Sequence, residues 1–192
     1  MTRGTIVFDG SALAAVPWTG VARSFLATLA AYVEVARQEL VVLVPPGTPE
    51  LGVAGVRRID VELRGVRRHF RLPRLLRELS ATLLHSPVAA LPLTSPCPRL
   101  ATIHDLPWLA PVRLAEPGTG IRDRAAALHA ARSATLVLVP SRRTASMLGR
   151  ARRVLVVPHG VTPPPEPAPK EALDGPFLAI GDRWPRDRKS VV

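Results

Sequence analysis

Short apolar, β-branched runs alternate along this chain with stretches whose apolar residues recur at helical spacing. The first run is Thr5–Asp9, followed by a loop over 10–19 that contains Pro17 and Trp18. From Val21, the residues Val21, Phe25, Leu29, Tyr32 and Val33 fall on one side of a 3.6-residue repeat, which predicts a helix with one face against a sheet. LVVLV at 40–44 and RRIDVEL at 57–63 read as the next two strands, with a turn-rich loop between them. Later strands are predicted at 81–85, 100–104, 135–139 and 154–157. Between these runs the pattern predicts a short helix from Pro73 and a second over 121–132, with Ile121, Ala125, Leu128 and Ala131 in register. A third is predicted over 142–148, capped by Ser141 and ended by Gly149. Strands alternating with helices in this way predict an α/β fold with a doubly wound, mainly parallel sheet.

Proline changes the picture beyond residue 161. It is so frequent between 162 and 169 that neither a helix nor a sheet interior fits, so 1–161 reads as one domain and 162–175 as a Pro-rich interdomain linker. At 176–180 an apolar, strand-like run follows, then Gly181, Asp182, Arg183, Trp184, Pro185 and Arg186, so 176–192 reads as the start of a second domain.

Composition narrows the class. A chain of 192 residues with 47% apolar side chains has enough material for a real core. No run approaches the roughly 20 apolar residues of a membrane span, and the N-terminus reaches a strand without the apolar core of a signal peptide. A cytoplasmic protein is expected. A single cysteine, Cys97, excludes an internal disulfide. The net charge of +11 comes almost wholly from arginine, since Lys170 and Lys189 are the only lysines. That charge would attract nucleic acid, anionic lipid or a phosphorylated substrate. No zinc-finger spacing or aromatic RNA-binding signature accompanies it, so nucleic acid ranks last among the partners. Arg57, Arg58, Arg64, Arg67, Arg68, Arg71, Arg74 and Arg77 form a cluster whose usual meaning is a solvated face. Such a basic, partly amphipathic segment also fits peripheral contact with an anionic membrane at its inner face.

Candidate chemistry centres on RLATIHDLPWLAPVR at 99–113. His104 and Asp105 fall where the strand over 100–103 should end, and in open α/β sheets ligands sit beyond the carboxyl ends of the strands. Two readings of the pair stay open: a ligand contact, or a strand cap that starts a turn. Thr19 and Gly20 stand at a helix start, where free N–H groups favour an anion, although both are also ordinary capping residues. His69, His85, His129 and His159 show no close ligand spacing to His104, so no metal is expected.

In this order the segments IVFDGSAL, TGVARSFLATLA, LLHSP, ATIHDLPWL, LVPSRRTASML and VLVVPHGV resemble the family 4 glycosyltransferases, the large GT-B group of nucleotide-sugar-dependent retaining enzymes. The similarity spans almost the whole chain. It implies that 1–161 is the Rossmann-like, acceptor-side domain and that 176–192 begins the donor-binding domain. It implies, too, that Thr19 and Gly20 lie near the donor diphosphate and that His104 contacts the transferred sugar. Asp105, Ser141 and Gly160 would shape the cleft, and Arg186 would begin the arginine-lysine segment that holds the diphosphate. The donor would be GDP- or UDP-linked, with mannose among the candidate hexoses, and the acceptor a glycan or a lipid-linked molecule. No separate cofactor is implied. His159 and Thr162 depart from the Asn-Gly-Val-Asp pattern of the family, and Asp187 stands where its lysine is expected. Residues 187–192 can be encoded by GAT CGG AAG AGC GTC GTG, the sequence of a common short-read sequencing adaptor. They are therefore expected to be read-through, with the natural protein continuing after Arg186, and the 192-residue chain alone is expected to be inactive. A non-catalytic module that binds a glycan or acceptor is the alternative.

Overall fold

The computed structural model describes residues 4–14, 16–106, 121–149 and 153–160. The expected linker at 162–175, the expected second-domain start at 176–192 with Arg186, and residues 107–113 of the loop after His104 lie outside them.

Among the described residues, seven strands and four α-helices follow one another as β1 (Thr5–Asp9), α1 (Gly20–Val35), β2 (Glu39–Val44), β3 (Arg57–Asp60), α2 (Arg67–Glu78), β4 (Ala81–Ser86), β5 (Arg99–Thr102), α3 (Ile121–Ser133), β6 (Leu136–Val139), α4 (Arg142–Met147) and β7 (Val154–Val156). A short 3-10 helix, Gly10–Ala14, follows β1. The strands form one sheet in the order β3-β2-β1-β4-β5-β6-β7, and every neighbouring pair is parallel. All seven carboxyl ends therefore lie along one edge. The strand order reverses between β1 and β4, the switch point at which such folds open a crevice.

Alternation along the strands divides the core in two. Val7, Val41, Leu43, Leu84, Ala101, Val137 and Val139 pack with Leu72 and Leu76 of α2 and with Ala127 and Ala130 of α3. Ile6, Phe8, Leu40, Val42 and Val44 point the other way, onto Ala22, Phe25 and Leu29 of α1. Helices thus cover both faces, and the fold is a doubly wound, Rossmann-like α/β fold. On the second face α1 and Leu13 of the 3-10 helix are the helical parts of that cluster, so among the described residues the sheet beyond β4 has little cover there. Leu155 remains 50% exposed and Val157 44%.

The turn after β1 depends on Gly10. A Cβ there would lie 2.7 Å from the Leu43 carbonyl oxygen and 2.9 Å from Cγ1 of Val44, so only glycine lets this turn pack against β2.

Three predicted boundaries differ in ways that matter. Helix α2 begins at Arg67, six residues before Pro73, which sits buried inside it. Proline removes one internal hydrogen bond there, but the burial of Arg68, Leu72 and Leu76 on one side holds the helix to the sheet. Strand β3 stops at Asp60; Val61 still donates to the Val44 carbonyl at 2.7 Å, and Val61 and Leu63 then turn inward as buried side chains. Strand β5 stops at Thr102, with Ile103 donating to the Leu138 carbonyl at 2.9 Å, so His104 stands clear of the ladder. The arginine cluster is not uniformly a solvated face either. Arg68 is buried, in an ion pair with the fully buried Asp9. Among the described residues, no helix is long and apolar enough to cross a membrane.

Candidate functional site

A groove of about 1080 Å³ opens between α1 and the carboxyl ends of the strands, lined among others by Gly20, Ser24, His85, Thr102, His104 and His159. His104 lies two residues beyond β5, and His159 three residues beyond β7. Parallel strands deliver both to the same edge, where their rings stack with centroids 5.1 Å apart. His104 Nδ1 and His159 Nε2 are 3.2 Å apart, His104 Nε2 is 2.9 Å from the Pro87 carbonyl oxygen, and His159 Nδ1 is 3.1 Å from Ser24 Oγ.

Elementary donor and acceptor accounting fixes the protons. A carbonyl only accepts, so His104 Nε2 carries the hydrogen that it donates to Pro87. In a neutral ring Nδ1 is then an acceptor, and it takes the hydrogen of His159 Nε2. His159 Nδ1 in turn accepts from the Ser24 hydroxyl. This chain has one consistent solution with both rings neutral. A single added proton fits on His159 Nδ1, which then donates to the Ser24 oxygen, but a second proton, on His104 Nδ1, does not, because both ring nitrogens at the 3.2 Å contact would then be donors. Burial pushes the His104 pKa below its usual value; the Pro87 carbonyl opposes this, His159 lowers it further and the Asp105 charge raises it. The ring is therefore held neutral at pH 7, with a lone pair on Nδ1 and its hydrogen fixed on Nε2.

The residues singled out from sequence are not all brought together. Gly20 lines the groove at the start of α1, and a Cβ there would meet nothing within 4 Å, leaving open space beside the helix terminus. Thr19 turns its side chain to the helix instead, accepting from the Ala22 amide at 3.3 Å as an N-cap. Gly160 lines the groove next to His159 in the chain. Asp105 is exposed and acts on His104 through its charge. Ser141 is the N-cap of α4, accepting from the Thr144 amide at 3.1 Å, and does not line the groove.

Three features were not singled out from the sequence as parts of a site. His159 partners His104, and Ser24 secures His159. VLVVPHG, like ATIHD, places a histidine just past a strand end, but the signal becomes visible only once the strands are known to be parallel. Asp9 closes β1 and pairs with Arg68, which also donates to the Ala90 carbonyl at 2.9 Å. Both line a small cavity of about 170 Å³ at the ends of β1 and β2, with Ser11, Glu62 and Arg64. His85 sits 2% exposed among Phe8, Tyr32 and Thr102, and burial drives its pKa down to about 4. Among the described residues, no group of three or more His, Cys, Asp or Glu side chains is placed to hold a metal ion.

Compared with known proteins, the chain matches no family model and no curated protein.

Proposed function

We propose that this fold forms the cleft of a nucleotide-sugar-dependent, retaining glycosyltransferase that moves a hexose from a GDP- or UDP-linked donor to a glycan or lipid-linked acceptor. The observation that carries the reading is the pairing of a helix start with a neutral histidine in one groove at the sheet's carboxyl edge. At that helix start the Ala22 amide is taken by Thr19, the Gly20 and Val21 amides precede the first internal hydrogen bond, and a Cβ at Gly20 would meet nothing within 4 Å. Such a terminus carries a partial positive charge suited to a diphosphate. His104 offers Nδ1 as an acceptor to a sugar hydroxyl, its ring orientation set by Pro87. As the bond from the anomeric carbon to the phosphate oxygen breaks, charge develops on both fragments. A hydrogen bond that strengthens at that moment lowers the barrier. His159 would yield its contact with Nδ1 to the sugar, keeping the site occupied and oriented until donor arrives.

Saturation-transfer NMR on the full chain with GDP-mannose, UDP-glucose, the free nucleotides and the free sugars tests this. Transfer to the hexose protons of a nucleotide sugar is expected, with a loss of about tenfold in affinity for His104→Ala, the scale of one well-made hydrogen bond to a buried partner. Equal signals from unrelated nucleotides, unchanged by His104→Ala, would contradict the proposal.

A further inference from the structure

The exposed side of α2 combines apolar side chains with arginines. Val66, immediately before the helix, is 71% exposed, and Phe70 is 74% exposed, although the helix has a well-formed buried side of Leu72 and Leu76. At 3.6 residues per turn, the exposed residues Val66, Arg67, Phe70, Arg71, Arg74, Arg77 and Glu78 occupy one arc of about 140°. Phe70 lies within this arc, flanked by arginines. Of these, Arg74 pairs with Glu78 at 2.9 Å, and Arg64, just before the helix, approaches Glu62 at 3.7 Å. Arg67, Arg71 and Arg77 have no ion-pair partner among the described residues.

From this arrangement we infer that the exposed face of α2 docks on an anionic phospholipid surface, with Phe70 and Val66 entering the interface and Arg67, Arg71 and Arg77 meeting lipid phosphates. A solvated face needs no exposed phenylalanine, and a duplex held through its phosphates gains nothing from one; stacking on a single-stranded base would use it, and affinity for a single-stranded RNA separates that case. An interfacial helix needs both: apolar side chains to enter the acyl boundary and cations whose long stems reach up to the headgroups. The placement is also coherent with the fold. Arg64, just before α2, lines the small cavity at the ends of β1 and β2, so the start of α2 lies by the sheet's carboxyl edge, along which the groove also opens. The inference rests on α2 and Val66 at its start and stands independently of the transferase reading.

Flotation of the full chain with phosphatidylcholine vesicles, with or without about one-third phosphatidylglycerol, tests it. Binding is expected only to the anionic vesicles and is expected to be released by high salt, since screening weakens exposed charges. Arg67→Gln with Arg71→Gln should weaken it about 25-fold, at about fivefold for each arginine near the surface. Phe70→Ser should weaken it about tenfold through lost apolar insertion. Arg142→Gln, on the exposed start of α4, should leave it unchanged, and circular dichroism should show every variant folded. Three results would overturn the inference: no preference for anionic vesicles, binding indifferent to Phe70→Ser with equal affinity for a single-stranded RNA, or a dimer in gel filtration that Phe70→Ser dissociates.

Discussion

Arg68→Met is expected to destabilise the fold by about 3–5 kcal/mol, measured by urea denaturation at pH 7.5. Asp9 is wholly buried, and its carboxylate is held by the Arg68 guanidinium and by the Ser11 amide at 3.1 Å. Methionine keeps much of the length and apolar stem of arginine but leaves the carboxylate with one of its two partners. The cost comes from the stranded charge rather than from the lost attraction, because removing two charges from water offsets most of what their pairing contributes. The double variant Asp9→Asn with Arg68→Met should therefore be more stable than Arg68→Met alone, since a neutral amide has far less to lose from burial. If both variants lose the same amount, packing by the arginine stem, and not the buried charge, holds α2 to the sheet.

His85 sets the second large effect, a loss of roughly 3 kcal/mol of stability between pH 7 and pH 4. Burial holds its pKa at about 4 in the folded protein, against the usual 6.5 of an unperturbed imidazole. Above the unfolded value the ring is neutral in both states and nothing is lost. As pH falls through the interval between 6.5 and about 4, the unfolded chain takes up a proton that the native ring refuses, so stability falls with pH. Below it both states are protonated and the loss levels off. His85→Phe retains a ring between Phe8, at a centroid distance of 5.5 Å, and Tyr32, at 5.9 Å. It also removes the buried Nδ1 that has no partner. His104 titrates in the same direction, so the difference between the two proteins isolates His85. The urea midpoint of wild type should be clearly lower at pH 4 than at pH 7.5 and should change much less in His85→Phe; an equal drop in both would remove His85 as the cause.

Much of the fold was legible because its strands are short, apolar and β-branched, with ends marked by glycine, proline or a capping residue. Thr19 and Ser141 were readable as N-caps because a hydroxyl before a helix has one common use. The first turns of α2 were not. Arg67, Arg68, His69 and Phe70 carry no helical start signal, and Pro73 is an ordinary first-turn residue, so the sequence pointed to a start there, whereas burial of Arg68 against Asp9 extends the helix upstream. Such a long-range pair leaves no local trace.

The site divides along the same line. His104 was identifiable from its place after a strand, a local property. Its partner His159 is 55 positions away, and their meeting depends on two strands being parallel and separated only by β6. The role of Asp9 is hidden for the same reason, since its partner lies 59 positions along the chain.

The most direct test of the cleft is the nitrogen-15 spectrum of the histidine rings, recorded with and without GDP-mannose or UDP-glucose at pH 7. Without ligand, His104 should appear neutral with its proton on Nε2, and its titration midpoint should fall below that of a free imidazole. On adding a nucleotide sugar, the His104 and His159 signals should both move as their mutual contact gives way, while His129, hydrogen-bonded to Pro92 on the opposite face, should not. A spectrum in which His104 and His159 stay fixed at saturating donor would contradict the assignment of this groove to sugar transfer.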